Sequence, residues 1–205
     1  MKPAVQRWNQ RFAATEDYIF GTEPNAFLVE QTKQWLQPGM QVLAVADGEG
    51  RNGVWLAGQN LEVWSVDAAP AATEKAKRLA KERGVDLHVV TADISQWNWD
   101  AQQFDAVIAI FIQFANPKLR AQIFDGMKRA TKPGGLILIQ GYGLKQLEYK
   151  TGGPDIPEHL YTLDLMRESF QDTDILLLRE YDAEIQEGDG HQGMSALVDL
   201  VARKS

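Results

Sequence analysis

The segment Ala46-Asp-Gly-Glu-Gly-Arg-Asn-Gly53 has the composition of a loop that receives an anionic group. It follows a short apolar run and opens a predicted helix, where backbone N–H groups point outward without partners in the helix. Gly48 and Gly50 let a ligand approach the backbone and permit positive φ angles. This loop is therefore the first candidate for ligand binding, with a tight turn between strand and helix as the plain alternative.

Two kinds of ligand fit the loop. The spacing of Gly48, Gly50 and Gly53 matches the dinucleotide-binding pattern, and Asp67 falls about where a ribose-binding acid is expected. The same residues suit the nucleoside loop of a methyltransferase that uses S-adenosylmethionine (SAM). Asp93 favours SAM, because a carboxylate beside Ile94 could accept the amino group of an adenine, which a dinucleotide fold does not specifically require.

Two further side chains could take part in chemistry. His191 lies in a glycine-rich link between two predicted strands and is the candidate general base, with a structural histidine in a turn as the alternative. Tyr149 belongs to the stretch 148–154, which follows a predicted strand at the edge where ligands collect in open α/β sheets. We expect this stretch to shape an acceptor pocket and to act as a lid.

Alternating strand and helix periodicity predicts the elements that position these residues. Helices are predicted over 25–36, 51–58, 70–83, 117–131 and 163–170, and strands over 41–46, 61–66, 86–91, 104–111 and 136–140. Two more strands, 175–185 and 196–202, have about ten residues between them, which suits an antiparallel pair. The pattern predicts an α/β fold with a mostly parallel seven-stranded sheet, helices on both faces and a C-terminal antiparallel pair. The basic residues from Lys75 onward on helix 70–83 are predicted to face solvent.

The composition narrows the functional classes. The chain has 205 residues, 44% hydrophobic and 24% charged, and a net charge of −7, which is usual for a globular domain and leaves no basic stripe for nucleic acid. It has no cysteine and its three histidines lie far apart, so no metal site is expected. Residues Met1 to Phe12 lack the apolar stretch of a signal peptide, and the longest apolar run, 106–112, is too short for a membrane span. We expect one cytoplasmic domain without a nucleic-acid or membrane partner.

Seven short stretches carry a family resemblance, in order along nearly the whole chain: Trp8-Asn-Gln-Arg-Phe12, Tyr18-Ile-Phe-Gly-Thr-Glu-Pro-Asn25, Gly48-Glu-Gly-Arg-Asn52, Val66-Asp67, Lys132-Pro-Gly-Gly135, 146–154 and 187–193. On them the chain resembles class I SAM-dependent methyltransferases, and in detail the small bacterial tellurite-resistance (TehB-like) group. The resemblance implies one Rossmann-like domain over 1–205, with an N-terminal helical segment, 1–38, covering the cofactor site. It also implies methyl transfer from SAM to a small-molecule acceptor, such as a thiol, selenium or tellurium compound, and we expect a monomer or homodimer.

The resemblance also assigns roles to residues. Asp67 would hold the ribose of SAM, while Asp93 and Ile94 would contact the adenine. The remaining cofactor residues it implies are Ala46, Asp47, Gly48, Glu49, Gly50 and Asn52 around the methionine part, Ala68 against the adenine, Ile110 and Phe111 beneath the sulfonium, and Trp8, Arg11, Tyr18 and Gly21 in the segment that closes over the cofactor. Arg11 is the candidate partner of the SAM carboxylate. His191 and Tyr149 are the implied catalytic residues.

The sequence departs from the family pattern in the glycine loop. Many class I enzymes have an acid at the position of Ala44 and a glycine at that of Ala46. The Cβ of Ala46 predicts a negative φ there, and the missing acid makes Asp47 or Glu49 the candidate partner of the SAM ammonium. Two alternatives to a SAM-dependent methyltransferase stay open. One is an NAD(P)-dependent oxidoreductase with the same glycine loop, and the other is a SAM-binding protein without catalysis.

Overall fold

The computed structural model describes residues 3–188 and 190–205, so Met1, Lys2 and Asp189 of the predicted 1–205 domain lie outside the described residues. The helices are α1 (Pro3–Ala13), α2 (Ala26–Trp35), α3 (Arg51–Ala57), α4 (Pro70–Arg83), α5 (Pro117–Ala130), α6 (Gln146–Tyr149) and α7 (Leu163–Ser169). The strands are β1 (Gln41–Val45), β2 (Glu62–Asp67), β3 (His88–Thr91), β4 (Phe104–Ile110), β5 (Thr131–Tyr142), β6 (Thr173–Glu187) and β7 (His191–Lys204).

The seven strands form one sheet in the order β3-β2-β1-β4-β5-β7-β6. β2 pairs in parallel with both β1 and β3, and β4 pairs in parallel with β5. β7 runs antiparallel to β5, with Ile139 opposite Leu200. The seven-stranded, mostly parallel sheet and its C-terminal antiparallel pair confirm the predicted fold class.

The chain divides into two compact units, which are described separately. Unit 1 is Met1–Trp97 with Glu187–Gly190, and unit 2 is Asn98–Gln186 with His191–Ser205. In unit 1, Phe12, Ala69 and Ala72 form one buried cluster and Val54, Leu79 and Ala80 another. In unit 2, a buried cluster of Tyr142, Leu160 and Leu197 packs against Phe111 and side chains of β6.

Local sequence sets most element ends. The side chain of Asn25 accepts a hydrogen bond from the Leu28 N–H and begins α2, as the preference of asparagine for N-caps predicts. Gly84, with φ +66°, ends α4. The C-terminal strands are longer than predicted, so the predicted ten-residue link is wrong: β6 ends at Glu187 and β7 begins at His191. Gly188 and Gly190 lie in this shorter link, because alternating half-buried side chains continue along β6 to Glu187.

Among residues 3–188 and 190–205, no helix is long and apolar enough to cross a membrane. Within the same residues, no group of three or more histidine, aspartate or glutamate side chains is placed to hold a metal ion.

Candidate active site

The glycine loop reverses direction between β1 and α3 through three residues with positive φ. These are Ala46 at +51°, Gly48 at +60° and Gly50 at +85°. Gly50 is the N-cap of α3, and its N–H donates to the Asp47 carbonyl at 3.1 Å. The prediction of a negative φ at Ala46 is wrong, because this short reversal places Ala46 in the left-handed region despite its Cβ.

Ala46→Gly should therefore stabilise the protein. A left-handed alanine costs roughly 1–2 kcal/mol, against which glycine loses roughly 0.5–1 kcal/mol of backbone entropy. We expect the free energy of unfolding to rise by about 0.5–1 kcal/mol, measured by urea denaturation. The matched control is Ala121→Gly on the exposed face of α5, which should lose about 1 kcal/mol. Equal losses in both variants would contradict the strain at Ala46.

Asp47 turns its carboxylate to the start of α3. The Gly53 N–H donates to it at 3.1 Å and the Ser65 hydroxyl at 2.7 Å. Burial raises the pKa of Asp47 from 3.8 to about 7. The Asp47 carboxylate therefore caps α3 in place of a side chain at the N-cap position, because the N-cap residue, Gly50, has no side chain.

The raised pKa of Asp47 gives stability a pH dependence of definite sign. Between pH 3.8 and about 7 the folded chain holds a proton that the unfolded chain has lost, so the contribution of Asp47 falls as the pH rises through this window. Asp47→Asn keeps the shape and removes the titration. Relative to wild type, its free energy of unfolding should rise between pH 4 and pH 7, by about 4 kcal/mol at most. Urea denaturation at both pH values tests this, with exposed Asp86→Asn as the control; a difference that does not vary with pH would contradict it.

Asp67 ends β2 beside the glycine loop. One carboxylate oxygen accepts from the Gly48 N–H at 3.0 Å, and the other from the Ala69 N–H at 2.8 Å. Burial raises the pKa of Asp67, and the N–H groups of Ala69, Gly48 and Ala68 act in the opposite direction. A carboxylate has about four acceptor positions, more than these backbone donors fill. Asp67 can therefore accept a further hydroxyl donor while holding the loop.

Asp93 follows β3 and begins a short 3-10 helix, Ile94–Gln96. Its Oδ1 accepts from the Ser95 N–H at 2.9 Å and from the Ser95 hydroxyl at 2.6 Å. Ile94 is buried. This capping fixes both residues at the carboxyl end of β3, and their contact with adenine stays a prediction.

The N-terminal helix α1 places an aromatic group near the glycine loop. Trp8 stacks on Phe12 with ring centroids 5.7 Å apart, and Phe20 lies 6.3 Å from Phe12. A Cβ on Gly48 would lie 3.6 Å from the Phe12 ring. The Arg11 guanidinium lies 5.1 Å from the centre of Trp8 and 5.3 Å from that of Phe20. Within the described part of the chain it has no hydrogen bond or ion pair, so it stays available to an anion.

Glu49 and Lys75 form a buried ion pair with a separation of 2.8 Å. The other Glu49 oxygen accepts from the Phe20 N–H at 3.4 Å, and the ammonium also donates to the Asp17 carbonyl at 2.7 Å. The prediction that Lys75 faces solvent is therefore wrong: it is 6% exposed, because it neutralises a buried carboxylate. The Glu49 carboxylate, predicted at the cofactor, is directed to α4.

Three other predicted cofactor residues hold the N-terminal segment. The Tyr18 hydroxyl donates to the Lys75 carbonyl at 3.3 Å and accepts from Arg78 at 3.3 Å. Gly21, with φ +70°, donates to the Tyr18 carbonyl. The Asn52 side chain accepts from the Asn25 N–H at 2.9 Å. The observed contacts of these three residues position the backbone of the N-terminal segment. Their direct contact with a cofactor stays a prediction.

In unit 2, Phe111 and His191 come together with Tyr142. Phe111 follows Ile110, the last residue of β4, and has φ +54°. Its ring lies 4.4 Å from His191, edge to face, and 4.7 Å from Tyr142. His191 is 8% exposed. The rings of Phe111, Tyr142 and His191 therefore form one group at the carboxyl ends of β4 and β5.

Sequence reasoning missed Tyr142 and the role of Gln113. The Gln113 amide donates to the Tyr142 carbonyl at 2.8 Å and accepts from the Tyr142 N–H at 2.6 Å. Tyr142 could have been found, because it ends β5 at the sheet edge where ligands collect. The paired amide contacts connect residues 29 apart, and no local pattern indicates them.

Tyr149, the other predicted catalytic residue, ends α6 and lies beside an ion pair between Lys145 and Asp182. The Lys145 ammonium lies 5.1 Å from its ring centre and pairs with Asp182. The Lys145 ammonium lowers the pKa of Asp182. Nearby, the Thr151 hydroxyl donates to the Met194 carbonyl at 2.5 Å, which fixes the predicted lid stretch to β7.

Comparison with known proteins agrees with this geometry. The model of a family described as a methyltransferase domain matches residues 42–135, which include the glycine loop and Asp67. A tRNA N(3)-methylcytidine methyltransferase of Drosophila melanogaster is 30% identical over 100 residues, 45% of this chain and 31% of that protein. A protein-L-isoaspartate O-methyltransferase of Pyrococcus horikoshii is 31% identical over 106 residues, 51% of this chain and 45% of its own. The chain thus spans less than half the length of these relatives.

Solved structures share the fold at low identity. TehB from Haemophilus influenzae superposes with a TM-score of 0.72 and 19% identity, covering 88% of this chain and 62% of its own. A protein from work on disulfide-to-thioacetal conversion in echinomycin biosynthesis superposes with a TM-score of 0.81 and 18% identity. The match covers 98% of this chain and 93% of that protein. NodS of Bradyrhizobium japonicum, solved with S-adenosyl-L-homocysteine (SAH), superposes with a TM-score of 0.71 and 16% identity, and the match covers 99% of each chain. The family match thus covers residues 42–135, and these solved structures share the fold over most of the chain.

Proposed function

We propose that this protein binds SAM through unit 1 and transfers its methyl group to a small-molecule acceptor. The observation that carries the proposal is the Asp67 carboxylate, which is hydrogen-bonded to the glycine loop and retains capacity for a hydroxyl donor, within the segment that matches a methyltransferase domain. When bound, SAM supplies a sulfonium whose methyl carbon is open to nucleophilic attack.

The residues of unit 1 fit this cofactor. Asp67 would accept from the ribose, with Ala68, Asp93 and Ile94 beside the adenine. Arg11, which is held over two aromatic rings and has no ion pair within the described residues, would bind the carboxylate. Because Glu49 is paired with Lys75 and Asp47 caps α3, neither carboxylate supports the predicted role toward the ammonium.

The residues of unit 2 support a role with the acceptor. Ile110 and Phe111 would line its position, and His191 would take the proton of an acceptor that is protonated at the working pH. The rings of Phe111, Tyr142 and His191, which pack against one another, would exclude water around the nucleophile. Tyr149 would contact the acceptor from the stretch 148–154.

A small organic or inorganic acceptor is the proposed substrate class. The net charge of −7 does not favour a polyanionic acceptor such as nucleic acid. Thiols, selenium and tellurium compounds belong to this class, and the resemblance of the sequence to tellurite-resistance methyltransferases makes them the first candidates. A relative that acts on tRNA makes tRNA the macromolecular acceptor to test.

Release of SAH from SAM, measured with ethanethiol, selenite, tellurite and total tRNA as acceptors, tests the proposal. We expect turnover with at least one small acceptor, and a decrease of about 100-fold in kcat in His191→Asn, since general-base catalysis contributes on this scale. The control is His88→Gln, whose side chain is 55% exposed on β3 and should leave kcat unchanged. Turnover with tRNA alone would contradict a small acceptor, and equal kcat in both histidine variants would contradict the role of His191.

A further inference from the structure

The Glu187 carboxylate joins two segments of unit 1 that are distant in sequence. One oxygen pairs with the Arg51 guanidinium at 2.6 Å, and the other accepts from the Asn25 side-chain amide at 2.8 Å. The side chains of Arg51 and Glu187 are only 8% and 10% exposed. Arg51 is the first residue of α3, directly after the glycine loop, and Asn25 is the N-cap of α2. Glu187 thus contacts the first residue of α3 and the N-cap of α2 at the same time.

The same network continues along the chain on either side. The Asn25 N–H donates to the Asn52 side chain at 2.9 Å, and Arg51 also reaches the Glu23 carbonyl at 3.5 Å. Asn25 and Asn52 are 1% and 6% exposed. The first turn of α3 and the segment 19–25 are therefore held together by buried polar contacts that meet at Glu187.

The turn after Glu187 packs directly on the segment 19–25. Gly188 has φ +65°, and a Cβ there would collide with backbone atoms of Ile19, Phe20 and Gly21. A Cβ on Gly190 would collide with the Phe20 ring, and its N–H donates to the Ile19 carbonyl at 3.1 Å. These two positions require glycine because of this close approach. Phe20 in turn contacts Glu49 of the glycine loop and the ring of Phe12.

We propose that Glu187 is a positioning residue for cofactor binding, which holds the segment 19–25 against the glycine loop through Arg51 and Asn25. This rests on the proposed function of unit 1. Loss of the carboxylate leaves the Arg51 charge buried without its acidic partner and weakens the contact with the Asn25 amide. The segment then opens more often, and a bound cofactor leaves faster.

The test measures dissociation of SAH by stopped-flow tryptophan fluorescence in Glu187→Gln and in the matched control Glu184→Gln, an exposed acid on the same strand. We expect the dissociation rate to rise about tenfold in Glu187→Gln, the effect of one hydrogen bond to a charged group, and to stay unchanged in the control. A lower melting temperature with an unchanged dissociation rate would overturn the proposal.

A double variant, Arg51→Gln with Glu187→Gln, separates positioning from folding. It removes the uncompensated charge, so its melting temperature should recover toward wild type, while its dissociation rate should stay raised. Recovery of both would mean that Glu187 acts through stability alone, and would overturn the proposal.

Hydrogen exchange without cofactor gives a readout that does not depend on SAH. Amides of residues 19–25 should exchange faster in Glu187→Gln than in Glu184→Gln, and equal exchange would overturn the positioning role. If wild type does not bind SAH at all, the proposed function fails, and the exchange result still decides whether Glu187 holds the segment.

Discussion

Replacing Asp67 with alanine is expected to weaken SAH binding at least about 100-fold. Two hydrogen bonds from ribose hydroxyls to a carboxylate contribute roughly 1.5 kcal/mol each, and each 1.4 kcal/mol changes affinity tenfold. The same substitution removes the acceptor for the Gly48 and Ala69 N–H groups, so the glycine loop also loses its support. Both effects act in the same direction.

Calorimetric titration of wild type, Asp67→Ala, Asp67→Asn and Glu62→Gln measures this effect. Asp67→Asn keeps one acceptor oxygen and should lose about tenfold. Glu62→Gln changes an exposed acid on the same strand and should bind as wild type does. Thermal melting shows that each variant is folded. Binding by Asp67→Ala within threefold of wild type would contradict the assignment of Asp67 to the ribose.

Replacing Lys75 with methionine is expected to cause the largest loss of stability, about 3–5 kcal/mol. The Glu49 side chain is 2% exposed, so without the ammonium its charge stays buried and unpaired. The Asp17 carbonyl loses its donor as well. For a chain of this size the melting temperature should fall by roughly 10 °C.

Two matched variants identify the cause. Glu49→Gln combined with Lys75→Met removes both charges and should recover most of the loss, because a buried ion pair replaced as a unit is often nearly neutral. Lys77→Met, two residues away with 52% of its side chain exposed, should change stability by less than about 0.5 kcal/mol. If Lys75→Met is no less stable than Lys77→Met, the buried pair does not support the fold.

The fold could be predicted from the sequence because its signals are local. The apolar run of β4, the caps Asn25 and Gly84, and the alternation of elements each depend on neighbouring residues. The short link between the last two strands predicts their antiparallel pairing, and in the structure this link is shorter still.

The polar contacts of the site could not be predicted in this way. Glu49 meets Lys75 across 26 positions, and Glu187 meets Arg51 across 136. A sequence shows that a carboxylate is present but does not identify its partner. The sequence therefore predicts Glu49 at the cofactor, whereas the structure pairs it with Lys75. The φ angle of Ala46 differs from its prediction for another reason. The loop requires a residue in the left-handed region at this position, and this requirement outweighs the local preference of alanine.

The most direct test of the central claim is calorimetric titration of the wild-type protein with SAH and, separately, with NADH. We expect saturable binding of SAH at one site and no heat with NADH, since we assign Asp67 and the glycine loop to SAM. Binding of NADH without binding of SAH would contradict it and assign the same loop to a dinucleotide.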